Sequence, residues 1–233
     1  MILGEDNAAT ITVNLNDGAD LVDINKTKLT VTVFYKVNNQ TFNKTVEYTL
    51  NGQNITFKLD DDFESAYANL KYDNKLTANT TIKVNTVINA EDMIKGDTEV
   101  KNLTIEIKGT NGHNITLDSK NIQVLNNGKA LNIDVNNTVI TIKDAFKNGI
   151  YNLTIKYLGE DTYLASLKNI TLTVYTINAT ASTNINSTKK GEIKVEVLGN
   201  GTINITKDDL KLNVTYKKGN DTVEIKVTDC SYV

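Results

Sequence analysis

Few residue types in this chain could do covalent or metal chemistry. His113 is the only histidine and Cys230 the only cysteine, and every basic residue is Lys. A Ser-His or Cys-His nucleophile would have to use His113, which stands in Asn111-Gly112-His113-Asn114, a turn sequence, with nothing linking it to Cys230. His113 therefore reads as a surface turn residue. Zinc sites draw on several His or Cys ligands, which one of each cannot supply. A lone cysteine allows no internal disulfide. The absence of Arg removes the planar fork that clamps phosphates and carboxylates. No catalytic, cofactor-binding or metal-binding residue is assigned.

Oxygen ligands for calcium are the next possibility. Asp60-Asp61-Asp62 with Glu64, and Gly159-Glu160-Asp161, cluster carboxylates at what should be strand ends. Neither has the spacing of the twelve-residue helix-loop-helix calcium loop, so both read as solvated acidic loops. A Lys–Asn isopeptide crosslink needs a Lys buried beside an amide and a carboxylic acid. Along the clear strands Lys36, Lys83, Lys156 and Lys194 fall on the outward set instead. Asn-x-Ser/Thr sequons recur throughout. Those in turns, at Asn25, Asn186 and Asn220, are the best candidates for glycosylation.

Charge narrows the partners. The net charge is −3, from 28 acidic and 25 basic residues. There is no clustered positive face for nucleic acid and no polybasic patch for a membrane. No stretch has the roughly 20 apolar residues that cross a bilayer. Met1-Ile-Leu-Gly-Glu-Asp turns acidic at once, unlike a secretory signal, so either the protein is soluble or its targeting and anchoring parts lie outside these 233 residues.

The elements that must carry these residues are strands. Leu29, Val31, Val33 and Tyr35 alternate with Thr30, Thr32 and Phe34; Leu103, Ile105 and Ile107, Ile170, Leu172 and Val174, and Ile193, Val195 and Val197 alternate likewise. Period two with Thr, Val, Ile and Tyr describes strands with one face in a core and one in water. Asn51-Gly52, Asn111-Gly112, Asn127-Gly128, Asn148-Gly149 and Lys218-Gly219-Asn220 mark turns between them. Helical periodicity is absent, although Asp60 to Ser65 and Asp144 to Lys147 could form single turns. The fold class is all-β, built of tandem antiparallel sandwiches.

An internal repeat sets the boundaries. Phe63 matches Phe146, Tyr67 to Asp73 matches Tyr151 to Gly159, and Tyr72 and Tyr157 lie 85 residues apart. The expected units are 1–85, 86–176 and an incomplete 177–233, with Thr86 to Ala90 and Thr176 to Ala179 as short linkers. Leu3-Gly4-Glu5-Asp6 followed by Thr10 to Val13 echoes Leu158 to Asp161 followed by Thr171 to Val174, so the first strand reads as the end of a preceding repeat. Tyr151, Leu153, Ile155 and Tyr157 share strand parity and should share a core face, with each Tyr hydroxyl bonded to turn backbone; Gly159 should make the tight turn that follows.

The stretch Tyr151-x-Leu153-x-Ile155-x-Tyr157-x-Gly159-x-Asp161-x-Tyr163-x-Ala165-Ser166, followed by Ile170 to Val174, resembles the last two strands of bacterial and archaeal immunoglobulin-like repeat domains. With the Asn/Thr/Lys-rich composition, the chain is similar to the adhesin-like surface proteins of methanogenic archaea. The resemblance covers 86–176 well, 1–85 in part, and 177–233 by strand pattern only. It implies immunoglobulin-like sandwiches in an extracellular, repetitive, non-catalytic protein of the cell surface. Its partners would be other surface proteins or a neighbouring cell, with no nucleic acid, no membrane insertion and no cofactor. Two other readings stand beside this one. In the first, the chain is the subunit of an extracellular filament, where the N-terminal strand of one copy completes the third sandwich of the next, head to tail. In the second it is a carbohydrate-binding module, which would need an exposed aromatic platform.

Overall fold

A computed structural model describes residues 1–59, 62–181, 193–198 and 214–225. Asp60, Asp61, Asn186 and Cys230 lie outside the described residues.

Strands make up most of it, and the described residues hold no α-helix. The first unit comprises β1 (Ala8–Thr12), β2 (Leu15–Asp17), β3 (Asp20–Val22), β4 (Leu29–Val37), β5 (Gln40–Thr45), β6 (Tyr48–Asn51), β7 (Asn54–Lys58), β8 (Ser65–Tyr72) and β9 (Leu76–Ile82). One sheet has the order β1-β7-β6 and the other β5-β4-β8-β9. The period-two residues explain why the sheets face each other. Ala9, Ile11, Ile55 and Phe57 from the first, and Val31, Val33, Ala66, Ala68 and Leu70 from the second, are all buried. Each large aliphatic buried this way stabilises the fold by about 1.5–3 kcal/mol.

The second unit comprises β10 (Thr86–Ala90), β11 (Met93–Gly96), β12 (Lys101–Gly109), β13 (Ile122–Asn126), β14 (Lys129–Ala130), β15 (Ile133–Asn136), β16 (Val139–Ile142), β17 (Gly149–Tyr157) and β18 (Ser166–Ala181). Its sheets run β10-β12-β16-β15 and β11-β18-β17-β13-β14. In chain order this is one sheet of the first, third, seventh and sixth strands facing a second sheet, with the short β11 parallel to β18. That is the connectivity of an immunoglobulin-like sandwich. The chain is thus all-β, with immunoglobulin-like antiparallel sandwiches in tandem.

Turn chemistry follows the Asn-rich sequence. Asn127 and Gly128 both take positive φ, at 49° and 78°, as a two-residue hairpin with right-handed strand twist requires. Asn38-Asn39 makes the same turn without glycine, at φ 50° and 63°, and Asp73 and Asn74 take the same region, at 50° and 54°, in the three-residue loop between Tyr72 and Leu76; Asn and Asp tolerate this region best after glycine. Asn148-Gly149 is not a hairpin turn, because Gly149 opens β17. Asp144 to Lys147 forms no helical turn; the short 3-10 turns are at Glu5–Asn7 and Lys26–Lys28 instead.

Two expectations about the connections change. Thr86–Ala90 is no linker but β10, paired with β12 from Thr86↔Gly109 to Ala90↔Ile105. Thr176 to Ala179 is the middle of β18, which runs unbroken to Ala181 and pairs beyond Thr176 with β19 (Ile193–Leu198). A strand that keeps its backbone bonds across a boundary is stiffer than a loop. Further on, β20 (Val214–Lys218) and β21 (Asp221–Ile225) form a hairpin. The N-terminal residues also differ from their reading as a preceding repeat's end. Ala8–Thr12 pairs with β7 of its own unit, from Ala8↔Lys58 to Thr12↔Asn54, and Ile2 bridges to Lys83.

Candidate functional site

The densest polar network lies where the two sandwiches meet, and its parts come from sequence-distant turns. From the first unit come Asp62, Phe63 and the segment Lys83 to Asn85. From the second come Gly109, Asn111 and His113, in the turn after β12, and Thr162 to Leu164, in the turn before β18.

Two buried donors converge on one carbonyl. Asn111 Nδ2 donates to Phe63 O at 3.1 Å, and the Tyr163 hydroxyl donates to the same oxygen. Asn111 Nδ2 also lies 3.3 Å from the Tyr163 hydroxyl, and the Asp62 N–H donates to Asn111 O at 3.0 Å. The two units are further stitched as strands: Val84 N donates to Thr162 O and Leu164 N to Val84 O, both at 2.8 Å, while Thr110 N reaches Asn85 O at 2.9 Å. Thr86 Oγ1 bonds Leu164 O at 2.8 Å and Ser166 Oγ at 2.7 Å.

Burial pushes the Tyr163 phenol up to about 12, against the opposing pull of the Asn111 amide. Burial, the larger effect, favours the protonated hydroxyl that donates to Phe63 O, while the Asn111 bond works against it. Gly109 shows how closely the parts fit. A Cβ there would stand 2.3 Å from Asn111 Oδ1 and 2.6 Å from the Tyr163 ring.

His113 sits partly exposed in its turn, but its ring is engaged. Its ring stacks on Tyr163, centroids 5.7 Å apart, and Nδ1 lies 2.8 Å from Asp62 Oδ1. The contact is an ion pair when the imidazole is protonated and a hydrogen bond to the carboxylate otherwise. The sequence placed Asn111-Gly112 and His113 in a turn correctly but gave no sign of what the turn touches. Tyr163 belongs to the tyrosine motif of the second unit, yet its hydroxyl serves the first.

The two acidic clusters approach each other here, since Glu64, Ser65, Glu160, Asp161 and Thr162 line one shallow surface depression. Two of these carboxylates, Glu64 and Glu160, are already engaged. Glu64 accepts from the Asn39 N–H at 3.0 Å and pairs with Lys36 at 3.3 Å, which hold it below its usual range, the backbone bond foremost. Glu160 accepts from Asn121 at 3.0 Å. No group of three His, Cys, Asp or Glu among the described residues could hold a metal ion.

In the tyrosine strand, Leu153, Ile155 and Tyr157 are buried and Tyr151 is half-buried. The Tyr151 hydroxyl donates to Lys147 O at 2.9 Å. The Tyr157 hydroxyl is buried with no partner, contrary to the expectation for it, and burial raises its pKa strongly. Gly159 follows at φ 82°, with Ala165 N so close that a Cβ would stand 2.8 Å away. Lys101 is a buried lysine that the alternation had not singled out; its amine donates to the backbone oxygen of Asp97 at 2.6 Å rather than to a side-chain amide.

On the outer face of the first unit, Phe34 and Tyr67 are cross-strand partners stacked at 4.9 Å and 3°. One face of each ring is thereby taken by the other. Asn25 is exposed and caps the 3-10 turn at Lys26–Lys28, its Oδ1 accepting from Thr27 N and Thr27 Oγ1 at 3.0 and 2.8 Å. Asn220 is exposed in the hairpin turn between β20 and β21.

No family model and no curated protein matches the chain. Solved structures do. The N-terminal four Ig domains of Dscam1 isoform 4.44 align over 75% of this chain and 42% of that one, at 9% identity and a TM-score of 0.36; this chain therefore corresponds to less than half of that structure. Tandem Ig repeats of Dlar align over 64% and 90%, at 10% identity and 0.31. Fibronectin(III)-like modules of Clostridium thermocellum CbhA align over 75% and 89%, at 10% identity and 0.31.

Proposed function

We propose that the chain is a non-enzymatic segment of an extracellular surface protein, adhesin-like or stalk-like, whose sandwiches are joined stiffly to set spacing and support attachment. The observation that carries this reading is the junction. Tyr163 and Asn111 of the second unit hold the Phe63 carbonyl of the first. At the other end, β18 leaves the second unit without a break. A spacer transmits position only if its joints cost free energy to bend, and buried hydrogen bonds between units supply that cost. The partners would be other surface proteins or a neighbouring cell, and Asn25, Asn186 and Asn220 the favoured glycosylation sites. The filament reading has less support, because Ala8–Thr12, the strand it would donate, is used within its own sheet. The carbohydrate-binding reading has the Phe34–Tyr67 pair as its best platform, with its inner ring faces covered.

The test is rotational diffusion by NMR relaxation, reported separately for the two sandwiches in the full chain. A stiff joint gives both one common anisotropic tumbling tensor. Independent tumbling of residues 8–82 and 86–176 would sink the spacer reading.

A further inference from the structure

The joint between the sandwiches depends on a side-chain nitrogen that its own sequence can expel. Asn111 Nδ2 donates to Phe63 O at 3.1 Å and lies 3.3 Å from the Tyr163 hydroxyl. The next residue is Gly112. Asparagine followed by glycine is the pair most prone to lose its amide, because glycine, lacking a Cβ, leaves its backbone nitrogen unhindered for attack. Asn51-Gly52 and Asn127-Gly128 are the same pair in hairpin turns, with the asparagine exposed. Asn111 is 2% exposed, and its amide spans two units.

The chemistry needs only water. Gly112 N gives up its proton and attacks Asn111 Cγ. The Cγ–Nδ2 bond breaks, and Nδ2 leaves with that proton as ammonia. Water then opens the cyclic imide, at Cγ to give aspartate or at the backbone carbonyl to give isoaspartate, and each acid releases one proton.

The docked joint opposes the first step. Gly112 N–H donates to Gly109 O at 2.9 Å, so the attacking nitrogen is held away from the amide. Gly109 N–H donates to His113 O at 2.9 Å and closes the turn a second time. Imide formation must break the Gly112 bond and pull Asn111 off Phe63 and Tyr163.

The product cannot restore what it replaces. The nitrogen that leaves is the donor to Phe63 O, and a carboxylate oxygen stands in its place as an acceptor facing an acceptor. The surroundings are already acidic: burial first, and then the nearby carboxylates of Asp62, Glu64 and Glu160, push the Tyr163 phenol up. A further buried negative charge there is costly. Isoaspartate also lengthens the backbone of a turn with no slack, since a Cβ on Gly109 would already stand 2.3 Å from Asn111 Oδ1.

We propose that Asn111 is a deamidation site that acts as a one-way release of the joint: protected while the sandwiches are docked, reactive once they part, and unable to re-dock after reaction. This rests on the stiff-spacer reading, because a joint that is always open has no docked state to protect.

The test compares rates and then tumbling. The full chain and a synthetic peptide of residues 108–116 are aged in the same mildly alkaline buffer, and conversion at Asn111 is followed by peptide mass spectrometry. Conversion at least about tenfold slower in the chain than in the peptide is expected, as for a group reached only by local opening. Gly109→Ala, which parts the joint, should bring the rate back toward that of the peptide. Asn111→Asp, with both sandwiches folded, should tumble as two bodies by NMR relaxation where the unmodified chain tumbles as one. Equal rates in chain and peptide, an unchanged rate in Gly109→Ala, or common tumbling in Asn111→Asp as in the unmodified chain would each overturn the proposal and leave the spacer reading standing. Independent tumbling of the unmodified chain would overturn both. If Asn111→Asp does not fold, the rates alone decide.

Discussion

Tyr157 and Tyr163 are both buried, and burial raises both phenols. Only the Tyr163 hydroxyl has a partner, the Phe63 carbonyl across the joint. Removing the two hydroxyls should therefore have opposite results. Tyr157→Phe deletes an unsatisfied buried group and is expected to be neutral or stabilising by up to about 1 kcal/mol. Tyr163→Phe deletes a made bond and should cost about 1 kcal/mol, since Phe63 O keeps Asn111. Denaturant melts of both variants check this. The alkaline limb gives an independent reading. Burial pushes the Tyr163 phenol up to about 12 in the folded chain, from an ordinary value of 10.0. Between these values the unfolded chain has released the proton and the folded chain has not, so stability falls as pH rises through that window. Tyr163→Phe should make the fall shallower there.

At the scale of the element, β17 shows how a period-two pattern becomes a core. Leu153 and Ile155 are fully buried between neighbours on both sides, with β13 at Asn126↔Leu153 and Val124↔Ile155, and β18 at Leu153↔Ile170. Leu153→Ala is expected to destabilise the second sandwich by about 2–5 kcal/mol, because a central strand position cannot collapse easily around a cavity. A near-neutral melt would mean that the strand is not part of the cooperative core. The turn after β12 works differently. Gly109 is required by its neighbours rather than by its own φ, so Gly109→Ala must displace Asn111 or Tyr163. The expected result is a second sandwich that still folds but no longer holds Phe63, seen as separate tumbling of the two units by NMR relaxation.

For the whole molecule, the all-β architecture predicts a far-UV circular dichroism spectrum with less than about a fifth helix, against a base rate near one third for ordinary domains. The engagement of Glu64 and Glu160 with Asn39, Lys36 and Asn121 leaves the joint held by protein donors. Adding chelator should accordingly leave the melting temperature unchanged; a large drop would show a bound ion stabilising the folded state.

Alternation along the chain was enough, by itself, to determine the strands, their inward faces and the all-β class, because a strand's side-chain direction is a local property with period two. The hairpin turns at Asn51-Gly52, Asn127-Gly128 and Lys218-Gly219-Asn220 were equally legible, since glycine at positive φ is a local steric preference; Asn38-Asn39 and Asn137-Thr138 lack the glycine and gave no such signal. The 85-residue echo between Tyr72 and Tyr157 was legible too, and the two prove to hold the same place, each opposite the first residue of the next strand in its sheet. What only the tertiary structure decided was everything set by contact between distant segments. The stretch Thr86–Ala90 looks like a linker until β12 lies beside it. His113 looks like a surface residue until Asp62 and Tyr163 meet it. Sequence spacing encodes which way a side chain points, but not which other segment arrives to cover it.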